Sequence, residues 1–206
     1  MHLAPEAKAS AFVGFTSLDR RDPEVRLQWD AALHVGGWNP HKGTAAVARA
    51  WSRHPQWPRI TVVTQLEDLP LHGSNIEHLA SRISDRRLRR LQNACAVHVC
   101  PSEVEGFGHT LMEALSCGAV IVTTDAPPMH ELISADEGCL VPHTSSTPLR
   151  AGRRFFVDGE RLIEVLARVW KDGARAFQAQ REAARAKYEG LRASFHTRLS
   201  SVVQNL

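Results

Sequence analysis

The sequence has no long apolar run. Stretches such as Ala119–Val122 stop far short of the ~20 residues a membrane-spanning helix needs. The opening residues, MHLAPEAKAS, lack the apolar centre of a secretory signal. No strong excess of charge is present either: 25 Lys and Arg against 22 Asp and Glu leave a formal charge of +3, too little to point to nucleic acid. Cysteine is scarce, and Cys95, Cys100, Cys117 and Cys139 form no CxxC pair, so buried free thiols in a reducing cytoplasm are expected rather than a zinc site. No G-x-G-x-x-G follows a strand, which disfavours a dinucleotide site. Hydrophobic residues still reach 43%, enough for the core of one ordinary domain within 206 residues.

What is present is an alternation. Residues 1–30, with Pro5 and Pro23, read as a lead-in with at most one strand, AFVGF at 11–15. From there short apolar runs predict strands at 32–36, 59–64, 75–80, 96–100, 119–124 and 138–142. Between them, helical spacing predicts helices at Thr44–His54, at Asp85 to about Cys95 behind a Ser84 cap, and at His109–Cys117 closed by Gly118. Leu88 and Leu91 are expected to face inward, and Trp51, Trp57 and Trp170 to lie in the core. A proline-led turn follows at DAPPMHELI, and residues 158–206 are helical with a break near Asp172-Gly173. Strands apolar throughout, alternating with helices, imply an α/β fold with a doubly wound parallel sheet covered on both faces. Ligands of such sheets bind at the carboxyl ends of the strands.

One segment there carries chemistry: PSEVEGFGHTLMEALSCG, residues 101–118. The helix at 109–117 is apolar nearly all round, yet Glu113 sits in its middle, and a buried carboxylate without partners is costly. Taken alone, Glu113 is better read as an acid complementing the helix dipole. Gly106-Phe107-Gly108 lets backbone approach a ligand and feeds a helix N-terminus, where free amides suit a phosphate. Carboxylates beside such a site must point at neutral donors, and sugar hydroxyls are such donors. The pattern implies a sugar nucleotide.

EGFGHTLMEALSCG resembles the E-x7-E signature of retaining glycosyltransferases of the GT-B fold, the group 1 family. HVGGWNPHKG at 34–43, ISDRRLRRLQNACAVHVCPS at 83–102 and TTDAPPMHEL at 123–132 resemble neighbouring segments of that family in the same order. The resemblance covers roughly residues 31–145. It implies a single Rossmann-like domain over 31–206, equivalent to the C-terminal, donor-binding half of such an enzyme. Carried over by position, Glu105 and Lys42 are the catalytic pair: Glu105 meets donor-sugar hydroxyls and Lys42 neutralises phosphate. Glu113 holds the ribose diol, and amides around Gly106, Phe107, Gly108, His109 and Thr110 cradle sugar and diphosphate. Gly37 and Trp38 complete the donor loop, Trp38 as a stacking surface. His109 reads equally well as an exposed helix-start residue, and Glu131 as a helix-start acid.

The implied reaction is glycosyl transfer from a nucleotide-diphosphate sugar with retention, with no metal and no cofactor, in keeping with the absence of a DxD pair. The implied partners are the nucleotide sugar, a sugar, lipid-linked or protein acceptor, and an acceptor-binding domain on another chain; no nucleic acid is implied. The setting is cytoplasmic, with the inner face of a membrane as a second possibility for the arginines at 82–90 and 168–198, which a solvated helix face explains more cheaply. Three departures stand out, the largest being that the resemblance implies only the C-terminal half, without the acceptor-binding half that normally supplies a catalytic histidine or acid. The family's arginine five residues before the lysine is here Gly37, and a glycine pair before the later proline is Ala126-Pro127-Pro128. They leave open a second reading, a nucleotide-sugar-binding module or degenerate relative without turnover.

Overall fold

The computed structural model describes residues 10–150 and 152–204, so the first nine residues of the lead-in and the last two of the C-terminal segment lie outside the described residues. Six strands form one parallel sheet in the order β3-β2-β1-β4-β5-β6. They are β1 (Gln28–Gly37), β2 (Arg59–Thr64), β3 (Ile76–Leu79), β4 (Cys95–Cys100), β5 (Val120–Asp125) and β6 (Gly138–Pro142). The helices are α1 (Thr44–Arg53), α2 (Asp85–Ala94), α3 (His109–Cys117), α4 (Met129–Leu132), α5 (Gly159–Ala176) and α6 (Gln178–Gln204). A 3₁₀ turn over Pro40–Lys42 precedes α1.

Successive side chains of a strand point to opposite faces, so an all-apolar strand needs cover on both. In β5, Val120 and Val122 join the core beneath α1 and α5, with Trp51, Leu162 and Leu166. Ile121 joins the opposite core, with Leu111, Met112 and Leu115 of α3 and Tyr188 of α6. The fold is therefore the doubly wound α/β domain expected from the sequence. Gly173, at φ 71° and ψ 178°, breaks α5 where the sequence places a break. All four cysteines are free. Burial pushes the thiols of Cys95, Cys100 and Cys117 up to about 12, so these are not thiolates.

Four expectations need correction. AFVGF at 11–15 is not a strand; residues 10–27 hold none, and β1 begins at Gln28, inside the expected lead-in. The lead-in packs by side chains instead, with Phe15 against the α3 core and the Tyr188 hydroxyl donating to the Ser17 carbonyl at 2.9 Å. Leu88 and Leu91 are only half-buried, and α2 buries the polar Gln92 and Asn93 in their place. Asn93 donates to the Arg20 carbonyl at 2.8 Å, so the polar face is there to receive the lead-in. Trp51 is buried as expected, whereas Trp57 and Trp170 lie partly buried at the margin of the core. The fourth is an addition: β7 (Ser145–Leu149) and β8 (Gly152–Phe156) form an antiparallel pair between β6 and α5.

Candidate functional site

The chain order of the sheet reverses between β1 and β4, which lie side by side. A crevice opens at such a switch point, because the following connections leave toward opposite faces. The two loops that bound it are 38–43 after β1 and 101–108 after β4, the segments that carry the sequence-derived residues. They are in close contact. The Glu103 amide donates to the His41 carbonyl at 2.8 Å. A Cβ added to Gly43 would stand 2.2 Å from the Pro101 carbonyl oxygen, so only glycine permits the approach. Gly43 has φ 72°, the left-handed region that glycine enters without strain.

Lys42 closes the 3₁₀ turn and reaches across this crevice. Its ammonium group forms an ion pair with Glu105 and a 3.5 Å contact with the Thr110 hydroxyl. The Lys42 and Glu105 side chains are 14% and 6% exposed, so the pair is largely withdrawn from water. Ser102, which sequence reasoning missed, donates to Glu105 at 2.7 Å. It lies two residues beyond the end of β4, where a lone serine carries no sequence signal. Beside this cluster lies a second one. Arg154 of β8 pairs with Glu103 at 2.6 Å, and His41 lies 3.7 Å from the same carboxylate. The hairpin was unforeseen, and it adds the Phe155 amide donating to the Glu103 carbonyl at 2.8 Å.

The glycine turn behaves as a rim. Nothing would meet a Cβ at Gly106, Phe107 is 67% exposed, and Gly108 adopts φ 71° as the N-cap of α3. No side chain caps α3, and none caps α1, so the first amides of both helices remain free of side-chain partners at the crevice. His109 is exposed and meets Phe15 edge-on at 4.7 Å. Trp38 is 75% exposed at the other lip, where the Gly37 carbonyl is already taken by the Thr64 hydroxyl at 2.8 Å. Glu131 is exposed in the first turn of α4, away from these contacts.

Glu113 lies three residues beyond Thr110, hence on the neighbouring position of one helix face, ~4.5 Å along the axis. It is half-buried and accepts from the Gln92 amide at 2.7 Å. It opens onto a cavity of about 460 Å³ shared with His109, Arg192 and His196. Neither Glu105 nor Lys42 lines this cavity, so the structure sets Glu113 apart from the Lys42–Glu105 pair, with Thr110 of the same helix touching Lys42. Beneath the loops, burial pushes His34 down to about 4, so its ring is neutral, and the Lys42 charge adds to that effect. Its Nδ1 donates to the Val99 carbonyl at 2.7 Å, since a carbonyl can only accept, and its Nε2 accepts from the Thr44 hydroxyl at 2.9 Å. A neutral ring thus ties β1 to β4 and to the first residue of α1. Among the described residues, no three His, Cys, Asp or Glu side chains converge as a metal site.

The arrangement offers a largely withdrawn pair of ammonium and carboxylate, two hydroxyls and two helix starts at the mouth of a parallel sheet. It can hold an anionic ester with free hydroxyls.

Comparison with known proteins agrees with this geometry. Residues 71–175 match the family Glycosyl transferases group 1. A GDP-mannose:cellobiosyl-diphosphopolyprenol alpha-mannosyltransferase of Xanthomonas oryzae pv. oryzae is 31% identical over 123 residues, covering 53% of this chain and 32% of the relative. The chain thus spans about a third of the length of the curated relatives it matches. Among solved structures, HepE of Anabaena in complex with UDP-glucose superposes with a TM-score of 0.66 at 17% identity, covering 86% of this chain and 49% of that one. The C-terminal domain of LpcC, a glycosyl transferase group 1 protein of Francisella tularensis, superposes with a TM-score of 0.58 at 16% identity, covering 86% of this chain and 95% of that one. The family match takes in half of the sequence, and the fold is that of a GT-B C-terminal domain: the chain belongs to the glycosyl transferases group 1 family.

Proposed function

We propose that the chain is the donor-binding half of a retaining glycosyltransferase that takes its sugar from a nucleoside diphosphate. The observation that carries the reading is the Lys42–Glu105 pair at the switch point, flanked by two helix starts without side-chain caps. Lys42 and the amides of Gly108 to Thr110 balance the diphosphate, while Glu105 and Glu113 accept from hydroxyls of the sugar and the ribose. Trp38, Gly37, Gly106 and Phe107 form the lips of the site. As the glycosyl bond breaks, negative charge grows on the departing diphosphate, and a fixed ammonium with fixed amides stabilises it without reorganisation. Before the donor arrives, Glu105 holds the lysine charge; hydroxyl donors that satisfy the carboxylate release the ammonium to the phosphate. The scheme needs no cofactor, and all its groups belong to this chain.

The acceptor, a sugar or a lipid-linked or protein-linked one, is brought by a further domain, in keeping with relatives of which this chain covers about a third. No helix among the described residues is long and apolar enough to cross a membrane. The setting we propose is the cytoplasm, with contact at the inner membrane face where the acceptor is lipid-linked, as in the Xanthomonas relative.

Gly37 favours a second reading, binding without turnover. It stands where the resemblance calls for an arginine, and open space surrounds the place of its absent side chain. One panel separates the two. Thermal melts with GDP, UDP, ADP and TDP sugars are expected to show one donor raising the midpoint by several degrees, since ligand at a hundredfold excess over its Kd adds ~2.7 kcal/mol and each kcal/mol is worth ~2–4 °C at this length. Glu113→Gln is expected to weaken that donor, because an amide cannot accept from both ribose hydroxyls. Mass detection of transferred sugar, with acceptor supplied, then distinguishes an enzyme from a binding module. A chain that no donor stabilises at millimolar concentration would count against both.

A further inference from the structure

Among the described residues Glu113 has one side-chain hydrogen-bond partner, Gln92, and what holds Gln92 is unexpected. Gln92 is 3% exposed, and its Oε1 accepts from Arg20 Nε at 2.8 Å. A guanidinium has donors only, so it fixes the direction of the amide: the oxygen must face Arg20, which leaves the NH₂ group to face Glu113. The carboxylate therefore always meets a donor and keeps its second oxygen for another one.

Arg20 belongs to the segment before β1, and it is 4% exposed. Six hydrogen bonds hold it. Its guanidinium donates to Gln92, to the Asp85 carboxylate at 2.8 Å and to the Asp85 carbonyl at 3.2 Å. Its amide donates to the Ser116 hydroxyl at 3.1 Å, and its carbonyl accepts from Asn93 at 2.8 Å and Arg89 at 3.1 Å. Burying a guanidinium is costly, and the ion pair does little to offset it, because the Asp85 side chain is 79% exposed to screening water. Of the bonds its guanidinium makes, the one from Nε to Gln92 is buried on both sides, whereas those to Asp85 are only part-buried. The same segment walls the Glu113 cavity with Thr16, Ser17 and Leu18.

We propose that Arg20 is a positioning residue of the donor site, acting through Gln92 on Glu113, so that the segment before the first strand belongs to the nucleoside-binding machinery. The inference rests on the role of Glu113 proposed above. Titration calorimetry of GDP, UDP, ADP and TDP, with inorganic pyrophosphate alongside, tests it on the wild-type chain, Gln92→Leu, Arg20→Met, Glu113→Gln and the Gln92→Leu/Glu113→Gln pair. Gln92→Leu and Arg20→Met are expected to weaken the preferred nucleoside diphosphate about tenfold, the scale of one hydrogen bond to a charged group. Pyrophosphate affinity is expected to stay as it was, and the double variant to bind no worse than Glu113→Gln alone. Should Arg20→Met fail to fold, Gln92→Leu carries the test, with Arg20→Lys falling between it and wild type. Equal losses for nucleotide and pyrophosphate, or no loss in Gln92→Leu, overturn the proposal. If the wild-type chain binds a nucleoside diphosphate and Glu113→Gln weakens it while Gln92→Leu does not, this inference alone is wrong. A wild-type chain that binds none overturns the donor reading as well.

Discussion

Helices α2 and α5 begin on Ser84 and Asp158, whose side chains accept from the amides of Arg87 and Arg161. Helices α1 and α3 begin on Gly43 and Gly108, which have nothing to offer those amides. The capped pair starts away from the switch point and the uncapped pair starts at it. A side-chain cap takes one of the N–H groups that an anionic ligand would use, so an uncapped start leaves more of them open. Glycine in place of Ser or Asp costs only a few tenths of a kcal/mol, a small forfeit for leaving two helix starts open on one crevice. Glycine is also what the left-handed backbone at both positions demands.

Substitutions at the open starts should do the greatest damage. In Gly43→Ala the new methyl would meet Pro101 backbone at 2.2 Å, at a φ of 72°. Left-handed strain of ~1–2 kcal/mol and overpacking of ~1–3 kcal/mol together predict a loss of about 3 kcal/mol or more. Gly108→Ala would meet only the tip of Leu132, at 2.4 Å, which can swing aside, and a smaller loss is expected. Thermal melts of the two variants rank them; equal losses would mean that the two loops are not locked together at Gly43.

Acid is the next lever. His34 beneath the open start of α1 and His98 beneath α2 both fall to about 4 from 6.5, with burial as the leading cause. The unfolded chain therefore binds protons that the folded chain refuses. Their contribution to stability is whole above pH 6.5 and drains away as the pH falls toward 4. At ~1.4 kcal/mol per pH unit for each ring, melts near pH 5 should show a loss on the order of 3 kcal/mol relative to neutral pH. A flat profile over that range would mean that the rings are solvated. The smallest effect should come from the capped starts: Ser84→Ala and Asp158→Ala are each expected to cost ~1 kcal/mol and to leave nucleotide affinity untouched. Loss of binding in either variant would erase the distinction between the two kinds of helix start.

Much of this was visible in the chain itself, and what was not has a physical reason. The strands of the parallel sheet are apolar on both faces, so RITVVT and AVIVTT declare themselves without knowledge of their partners. The hairpin Ser145–Leu149 and Gly152–Phe156 does not: SSTPL and GRRFF are largely polar, half exposed, and ordered by each other and by the Glu103 loop. Glu105, Lys42 and Thr110 could be named through the family resemblance, although Lys42 meets Glu105 across 63 residues of sequence. Ser102 lay beside them and went unnoticed, since a lone serine after a strand has no signature. Arg20 and Gln92 lie 72 residues apart in the sequence. Only the fold joins them, and a polar side chain inside an amphipathic helix gives no sign of being buried until the strand-free segment that covers it is in place.

The crevice has a stiff floor and a loose lip. Where Gly43 touches Pro101 there is no room for even one more carbon, so the chain has no freedom to vary there. Gly106, a few residues along the facing loop, looks out on empty space. Side chains grafted at that single point would lean over the mouth of the crevice, so on the donor reading proposed above selectivity can be retuned from the lip while the floor stays as it is.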